Sequence, residues 1–482
     1  WERRLSYSMT TRFIQLAVAI LILVAGGELT GGTKSTGVTD SCCVGPIRGN
    51  VDNDQDDLID ITDVVYLVDY MFQGGPAPLC LKEADIDGST TLDPSGETPE
   101  IAIGDLIHLV DFLFAGGRLP VPCSPADQWE NIYGGVGTEI AYSVAATSDG
   151  GYIVAGSVWA NGADIYLIRT DAWGDTLWTR TFGTPLDDEA YYVAVTPDGG
   201  FILTGNSGNS NQADQDVYVV KISAVGDLVW ERRFGEPGWS CGYSVVPVSG
   251  GGYLVAGALF DSSQHYRASL IRLNESGDSL WSRRHSAGDL STSARSMAKT
   301  PDGGYILTGW QEPHQIWLLK TDSLGHGLWS RTYEGGHIGS SVIPTADGGY
   351  IVTGTSDYPW DDLYVLKTDS LGEPIWSREF GENAPADFGR SVLQADDGNY
   401  VIAGMLDQYF EGGENVCLIK LDSMGNDVWI RTYGGSDQDR GTSVAKTGDG
   451  GYIITGIKDD VTDSATGWDV YLIKTDAEGF SQ

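Results

Sequence analysis

Residues 345–376 read TADGGYIVTGTSDYPWDDLYVLKTDSLGEPIW, and near-copies of both halves of this stretch recur from Trp129 to the C-terminus. The aromatic that follows the Gly-Gly turn falls at Tyr152, Phe201, Tyr253, Tyr305, Tyr350, Tyr400 and Tyr452, so successive copies lie 49, 52, 52, 45, 50 and 52 residues apart. A tryptophan four residues after a glycine recurs at Trp178, Trp230, Trp281, Trp329, Trp376 and Trp429, and a YLIKTD-like run recurs in each copy. Self-similarity at a period of about 20–50 residues marks solenoids, propellers or arrays.

Each copy holds four short runs fit for strands, in the quoted copy 341–345, 350–354, 363–369 and 376–380, separated by Gly, Asp and Pro. The Asp-Gly-Gly between the first two runs supplies the positive φ of a tight hairpin, and Asp-x-x-Gly ahead of the tryptophan supplies another. Four antiparallel strands in about 50 residues make a propeller blade. The last copy ends before its tryptophan, whereas Trp129-Glu-Asn-Ile-Tyr133-Gly-Gly matches Trp429-Ile-Arg-Thr-Tyr433-Gly-Gly. The expected fold is therefore mainly β: a seven-bladed β-propeller over 129–482, its N-terminal strand 129–133 completing the last blade. Closure of this kind leaves only short strand edges.

The tryptophans, each with an arginine two residues on (Arg180, Arg232, Arg283, Arg331, Arg378 and Arg431), recur too regularly for chemistry and read as scaffold. Burial of one indole removes about 200 Å² from water, so the set is expected to contribute heavily to the core.

The chain has 482 residues and a formal net charge of −38, which repels phosphate backbones and argues against nucleic acid as a partner. Arg12 followed by the apolar run 13–25 reads as a secretory signal peptide over 1–27, and the run is too short to span a bilayer. Residues 28–41 are a Gly/Thr/Ser-rich linker, 42–123 a small domain and 124–128 a second linker. An extracellular protein is thus expected, in which disulfides among Cys42, Cys43, Cys80 and Cys123 are permitted. Cys417, within an apolar run, reads as a small buried residue.

Within the small domain, Asp52, Asp54, Asp56, Asp60 and Asp63 stand at positions 1, 3, 5, 9 and 12 of a twelve-residue loop, with the Leu58 carbonyl at position 7. That is calcium-loop spacing. An apolar helix follows over 64–72, ended by Gly-Gly-Pro. A second version sets Asp85, Asp87, Ser89, Thr91, Asp93 and Asp105 before the helix 106–114, with 94–102 inserted, so its site is expected to be the weaker one.

This duplicated loop and helix over 49–118 resembles a bacterial type I dockerin. The resemblance implies bound Ca²⁺, attachment to a cohesin module of a scaffold protein, and extracellular polysaccharide use. Position 6, normally glycine, is Asp57 in the first loop and Thr90 in the second. Positions 10 and 11, which dockerins use in partner choice, are Ile61-Thr62 and Ile103-Gly104. The Asp-x-x-Gly-x-x-x-Trp turns of the remaining chain are similar to the tryptophan-docking repeats of quinoprotein-like propellers.

The loops after each Gly-Tyr-Ile-x-x-Gly strand carry Trp159, Phe260, Tyr266, Trp310, Tyr358, Trp360, Tyr409, Phe410 and Trp468. Aromatics beside Asp, Asn and Gln suit sugar rings, so these residues are the candidate ligand contacts. No histidine spacing fits a metal and no nucleophile motif surrounds a serine or cysteine. A non-catalytic carbohydrate- or protein-binding propeller is the first expectation. The alternative is a glycoside hydrolase or polysaccharide lyase using pairs such as Asp187-Asp188, Asp361-Asp362 or Asp437 with Asp439.

Overall fold

The computed structural model describes residues 128–481, apart from 136, 160–161, 209–213, 287, 357–361, 382–386, 408–412, 436–437 and 460–466. The residues expected to form calcium loops, Asp52 to Asp105, and the helices expected over 64–72 and 106–114 lie outside the described residues, as do Tyr358, Trp360, Tyr409 and Phe410.

The described strands form seven four-stranded antiparallel sheets. Six are built from consecutive strands, as in the blade Gly336–Pro344, Tyr350–Ser356, Leu363–Thr368 and Pro374–Phe380. The seventh takes three strands from the C-terminal end and its outermost strand, Trp129–Tyr133, from the front, paired antiparallel to Trp468–Thr475 with Trp129 opposite Lys474. The propeller is closed as its repeat requires.

The expected strand at 341–345 starts earlier, at Gly336, because two register shifts keep residues that break strict alternation paired with the second strand. At the Asp-Gly-Gly hairpin only the first glycine takes the left-handed conformation, Gly348 at φ +87°. The second is required for space: a Cβ on Gly349 would come 2.6 Å from the Lys367 ammonium.

The core lies between blades. Ile153 and Leu167 of the first blade meet Leu203 and Val220 of the second, and across the seam Val154 and Ile168 meet Ile453 and Leu472 of the seventh. In six blades a buried cation on the third strand pairs with the Asp of the Asp-Gly hairpin, as Lys367 does with Asp347 at 2.9 Å. The third blade has Ser-Gly-Gly-Gly there, and Arg272 donates to the Gly251 carbonyl at 2.5 Å instead.

All seven tryptophans lie on outermost strands, half-buried, and each packs against the core between its blade and the next. Each ring leans on the next blade: Trp230 lies against the ring of Tyr253 at 5.8 Å and donates its indole N–H to the Glu275 carbonyl at 2.9 Å. Arg180, Arg232, Arg283 and Arg431 each stack over the tryptophan two residues before them, and Arg232 also binds the turn that Trp230 docks on, donating to the Ser276 carbonyl at 2.9 Å.

Candidate functional site

Every innermost strand breaks register against its neighbour at an equivalent point, Ala141/Ser143, Ala190/Tyr192, Gly242/Ser244, Ala294/Ser296, Gly339/Ser341, Gly389/Ser391 and Gly441/Ser443. The residue before each break is Ala or Gly because the blades converge there: a Cβ on Gly441 would meet the Gly404 carbonyl at 2.5 Å. The serine after it laces blades together. Val193, Val342 and Val392 donate their N–H to Ser143, Ser296 and Ser341 of the preceding blade at 3.2, 3.2 and 3.3 Å.

The extra residue inside each break faces the axis. These seven, Tyr142, Tyr191, Tyr243, Arg295, Ser340, Arg390 and Thr442, all line one central cavity of about 420 Å³. The ring is polarised. The first three blades give a tyrosine wall, with Tyr142 against Tyr191 at 4.9 Å and Tyr191 against Tyr243 at 5.6 Å. Glu189 accepts from the Tyr191 hydroxyl at 2.6 Å, and burial raises its carboxyl above the usual range.

The opposite side is cationic. Arg295 lies 4.6 Å over the Tyr243 ring and Arg390 lies 4.8 Å over Phe388. Arg390 is open to the lumen yet enclosed by protein on every side, and that burial, with the charges of Arg295 and Arg440 beside it, lowers its pKa to about 10. Arg440 is ion-paired with Glu414 at 2.5 Å and lies 5.1 Å over Trp468.

One end of the propeller carries the loops between second and third strands and those entering each innermost strand. There Trp239 meets Tyr243 at 6.3 Å and Tyr266 at 5.5 Å, and Tyr266 meets Phe260 at 5.3 Å and Trp310 at 6.3 Å. Trp310 continues to His314 at 5.7 Å, and His314 to His337 at 4.9 Å. His314 holds a left-handed φ of +87°, rare outside glycine. This ridge borders a second cavity of about 260 Å³, and the two cavities share Tyr243 and Arg295. Arg267 braces the ridge, paired with Asp261 at 2.6 Å and donating to the Gly288 and Leu290 carbonyls at 3.1 and 3.0 Å. Against the cost of burial, hydrogen bonds from Ser263 and Arg267 hold the Asp261 carboxyl well below the usual range.

Of the aromatics anticipated from sequence, Phe260, Tyr266 and Trp310 come together and Trp468 lines the channel. Trp159 is 41% exposed and donates to Ser157 on its own strand. The anticipated carboxylates serve the backbone: Asp188 accepts from the N–H and hydroxyl of Thr184 at 2.5 and 2.8 Å, and Asp439 from Gly435 N–H at 2.9 Å. Asp187 accepts from Ala163 N–H at 3.1 Å, while Asp361 and Asp437 lie outside the described residues. Cys417 is fully buried, and burial pushes its thiol up. Among the described residues no group of three or more His, Cys, Asp or Glu is placed to hold a metal, and no helix is long and apolar enough to cross a membrane.

No family model matches the chain, and no curated protein matches it. It is similar to solved structures at low identity. A catalytically inactive virginiamycin B lyase from Staphylococcus aureus with quinupristin is 11% identical, covering 72% of this chain and 99% of that one, with a TM-score of 0.45. Sqt1 of Chaetomium thermophilum is 12% identical, covering 73% and 98%, with a TM-score of 0.45. A protein of unknown function from Bacteroides caccae is 15% identical, covering 61% and 94%, with a TM-score of 0.37. Likeness of this degree says nothing about ligands.

Proposed function

We propose that this chain is a secreted binding protein, attached through a calcium-loaded dockerin-like segment to a cohesin module, whose propeller holds a carbohydrate without turning it over. The single observation that supports the binding role is the ridge of Trp239, Tyr266 and Trp310, which runs into the central channel. Half-buried rings beside a concave polar lumen offer stacking faces and hydrogen-bonding groups together, the combination a sugar needs. The alternative, a glycoside hydrolase or lyase on the same face, requires two carboxyl groups free to act on substrate. Asp188 and Asp439 are instead fully buried, each with one carboxylate oxygen held by a backbone N–H.

The test has two arms. The full chain is passed over immobilised polysaccharides while soluble reducing ends are measured, with Trp310→Ala as the control. Retention without product release, weakened by that substitution, supports the reading; product release that disappears with Asp→Asn changes would replace it with the hydrolase or lyase. Separately, capture on an immobilised cohesin module should require calcium and be abolished by chelator.

A further inference from the structure

Arg295 and Arg390 stand out by what they lack. The chain carries a net charge of −38, and its buried third-strand cations each have a carboxylate or carbonyl partner. Among the described residues neither Arg295 nor Arg390 has a hydrogen bond or ion pair: each is recorded only against an aromatic face, and Arg295 Nε is buried with no acceptor. A buried donor without a partner is costly, and guanidiniums that share a lumen repel one another. The pair has two planar donor forks with no acceptor across a cavity of about 420 Å³, inside the range of roughly 300–1,000 Å³ typical of small-ligand sites.

We propose that the channel takes an acidic sugar, a hexuronate unit whose carboxylate lies with Arg295 and Arg390 while its ring faces the tyrosine wall. This rests on the carbohydrate-binding reading above and names the class of carbohydrate. A planar carboxylate matches the guanidinium fork. The opposing wall of Tyr142, Tyr191 and Tyr243 offers ring faces and hydroxyls, more than a bare inorganic anion can use. Glu189, the carboxyl beside that wall, already accepts from the Tyr191 hydroxyl. Through the shared Tyr243 and Arg295 the next sugar of the chain would pass onto the aromatic ridge.

The full chain is titrated calorimetrically with trigalacturonate, with a neutral galactose trimer and with inorganic sulfate. The acidic trimer should bind at least tenfold more tightly than either. Arg295→Gln and Arg390→Gln should each weaken it by roughly ten- to a hundredfold, the loss of a charge-assisted contact, and weaken the neutral trimer far less. Trp310→Ala should weaken both trimers. Competition by free galacturonate on the unaltered chain needs no variant to fold, and should displace the trimer. Equal affinity for acidic and neutral trimers, or indifference to both arginine changes, would overturn the acidic-sugar assignment while leaving carbohydrate binding intact. Sulfate binding as tight as the trimer would reduce the site to a plain anion pocket and overturn it too. Failure of every saccharide to bind would overturn both readings.

Discussion

The N–H of Val144 donates to Ser443 Oγ at 3.4 Å, across the one junction where the first blade meets the last. It is the same bond that Val193 makes to Ser143 one blade on, so the seam is laced as that junction is. On the outside the seam is held by Trp129, which packs on Tyr152 at 6.0 Å and donates to the Ala172 carbonyl at 3.3 Å. Trp129→Ala should therefore destabilise the propeller by about 2–3 kcal/mol, less than the ~3–5 of a fully buried tryptophan because this ring is half-exposed. Denaturant melts measure the loss, and limited proteolysis should cut first near residues 128–133. An unchanged midpoint would mean the strand adds nothing to closure.

Two glycines with the same backbone separate strain from space. Gly277 has φ +81°, and a Cβ there would lie 2.7 Å from the Trp230 ring. Gly303 has φ +83° and nothing within 4 Å of such a Cβ. Gly303→Ala should cost about 1–2 kcal/mol, the left-handed penalty alone. Gly277→Ala should cost a further ~1–3 kcal/mol by pushing the tryptophan off its dock. Equal losses in urea melts would refute the docking role of the turn.

Those glycines also show how far the chain could be read unaided. Asp-x-x-Gly-x-x-x-Trp recurs at fixed spacing because each blade presents the same turn to the same ring, so a repeat in sequence became a repeat in space. The tryptophans read as core and do pack against it, but only half-buried, because recurrence reveals that a residue is structural and not how deeply it sits. The channel was harder to see. Each blade gives the lining the second letter of AYSV, AYYV, GYSV, ARSM, GSSV, GRSV or GTSV. A position that varies freely between a fixed small residue and a nearly fixed serine is the signature of a lining site. The register break that turns it toward the axis interrupts strict alternation, so no period of two would point there. Phe260, Tyr266 and Trp310 were legible because they stand at or near strand ends that the repeat places at one end of the propeller; Trp239, entering from the preceding blade, was not.

Acid should loosen the hairpin cross-links as their carboxylates take up protons. Hydrogen bonds from Lys320 and Thr300 lower the Asp302 carboxyl from 3.8 to about 2. A depressed folded-state pKa contributes stability present above the unfolded value and lost as pH falls through the folded one. Asp302→Asn should therefore melt below the unaltered protein from pH 7 down to about 4, and the gap should close by about pH 2. A gap that stays constant across that window would show that the Lys320 pair does not contribute through charge. Arg272, which uses a carbonyl in the third blade, supplies the contrast: no titration of its partner can occur there.

The first calcium loop makes a separate prediction, because Asp52, Asp54, Asp56, Asp60 and Asp63 crowd into twelve residues. Two carboxylates about 4 Å apart repel by roughly 4 kcal/mol at an effective dielectric of ~20, so five gathered around one centre need a cation. Asp54→Ala removes one ligand and Asp63→Ala the ligand at position 12, and each should weaken uptake at the tighter site by at least tenfold in a calorimetric titration of the chelator-treated full chain. Asp93→Ala should affect only the weaker site, whose ligands are divided by the insertion 94–102. The propeller's melting temperature should not respond to calcium in any of these proteins, since the blades are held by their own seam. If the unaltered chain takes up no calcium, the dockerin-like reading fails, and with it the cohesin attachment, whereas the ridge and channel keep their own tests.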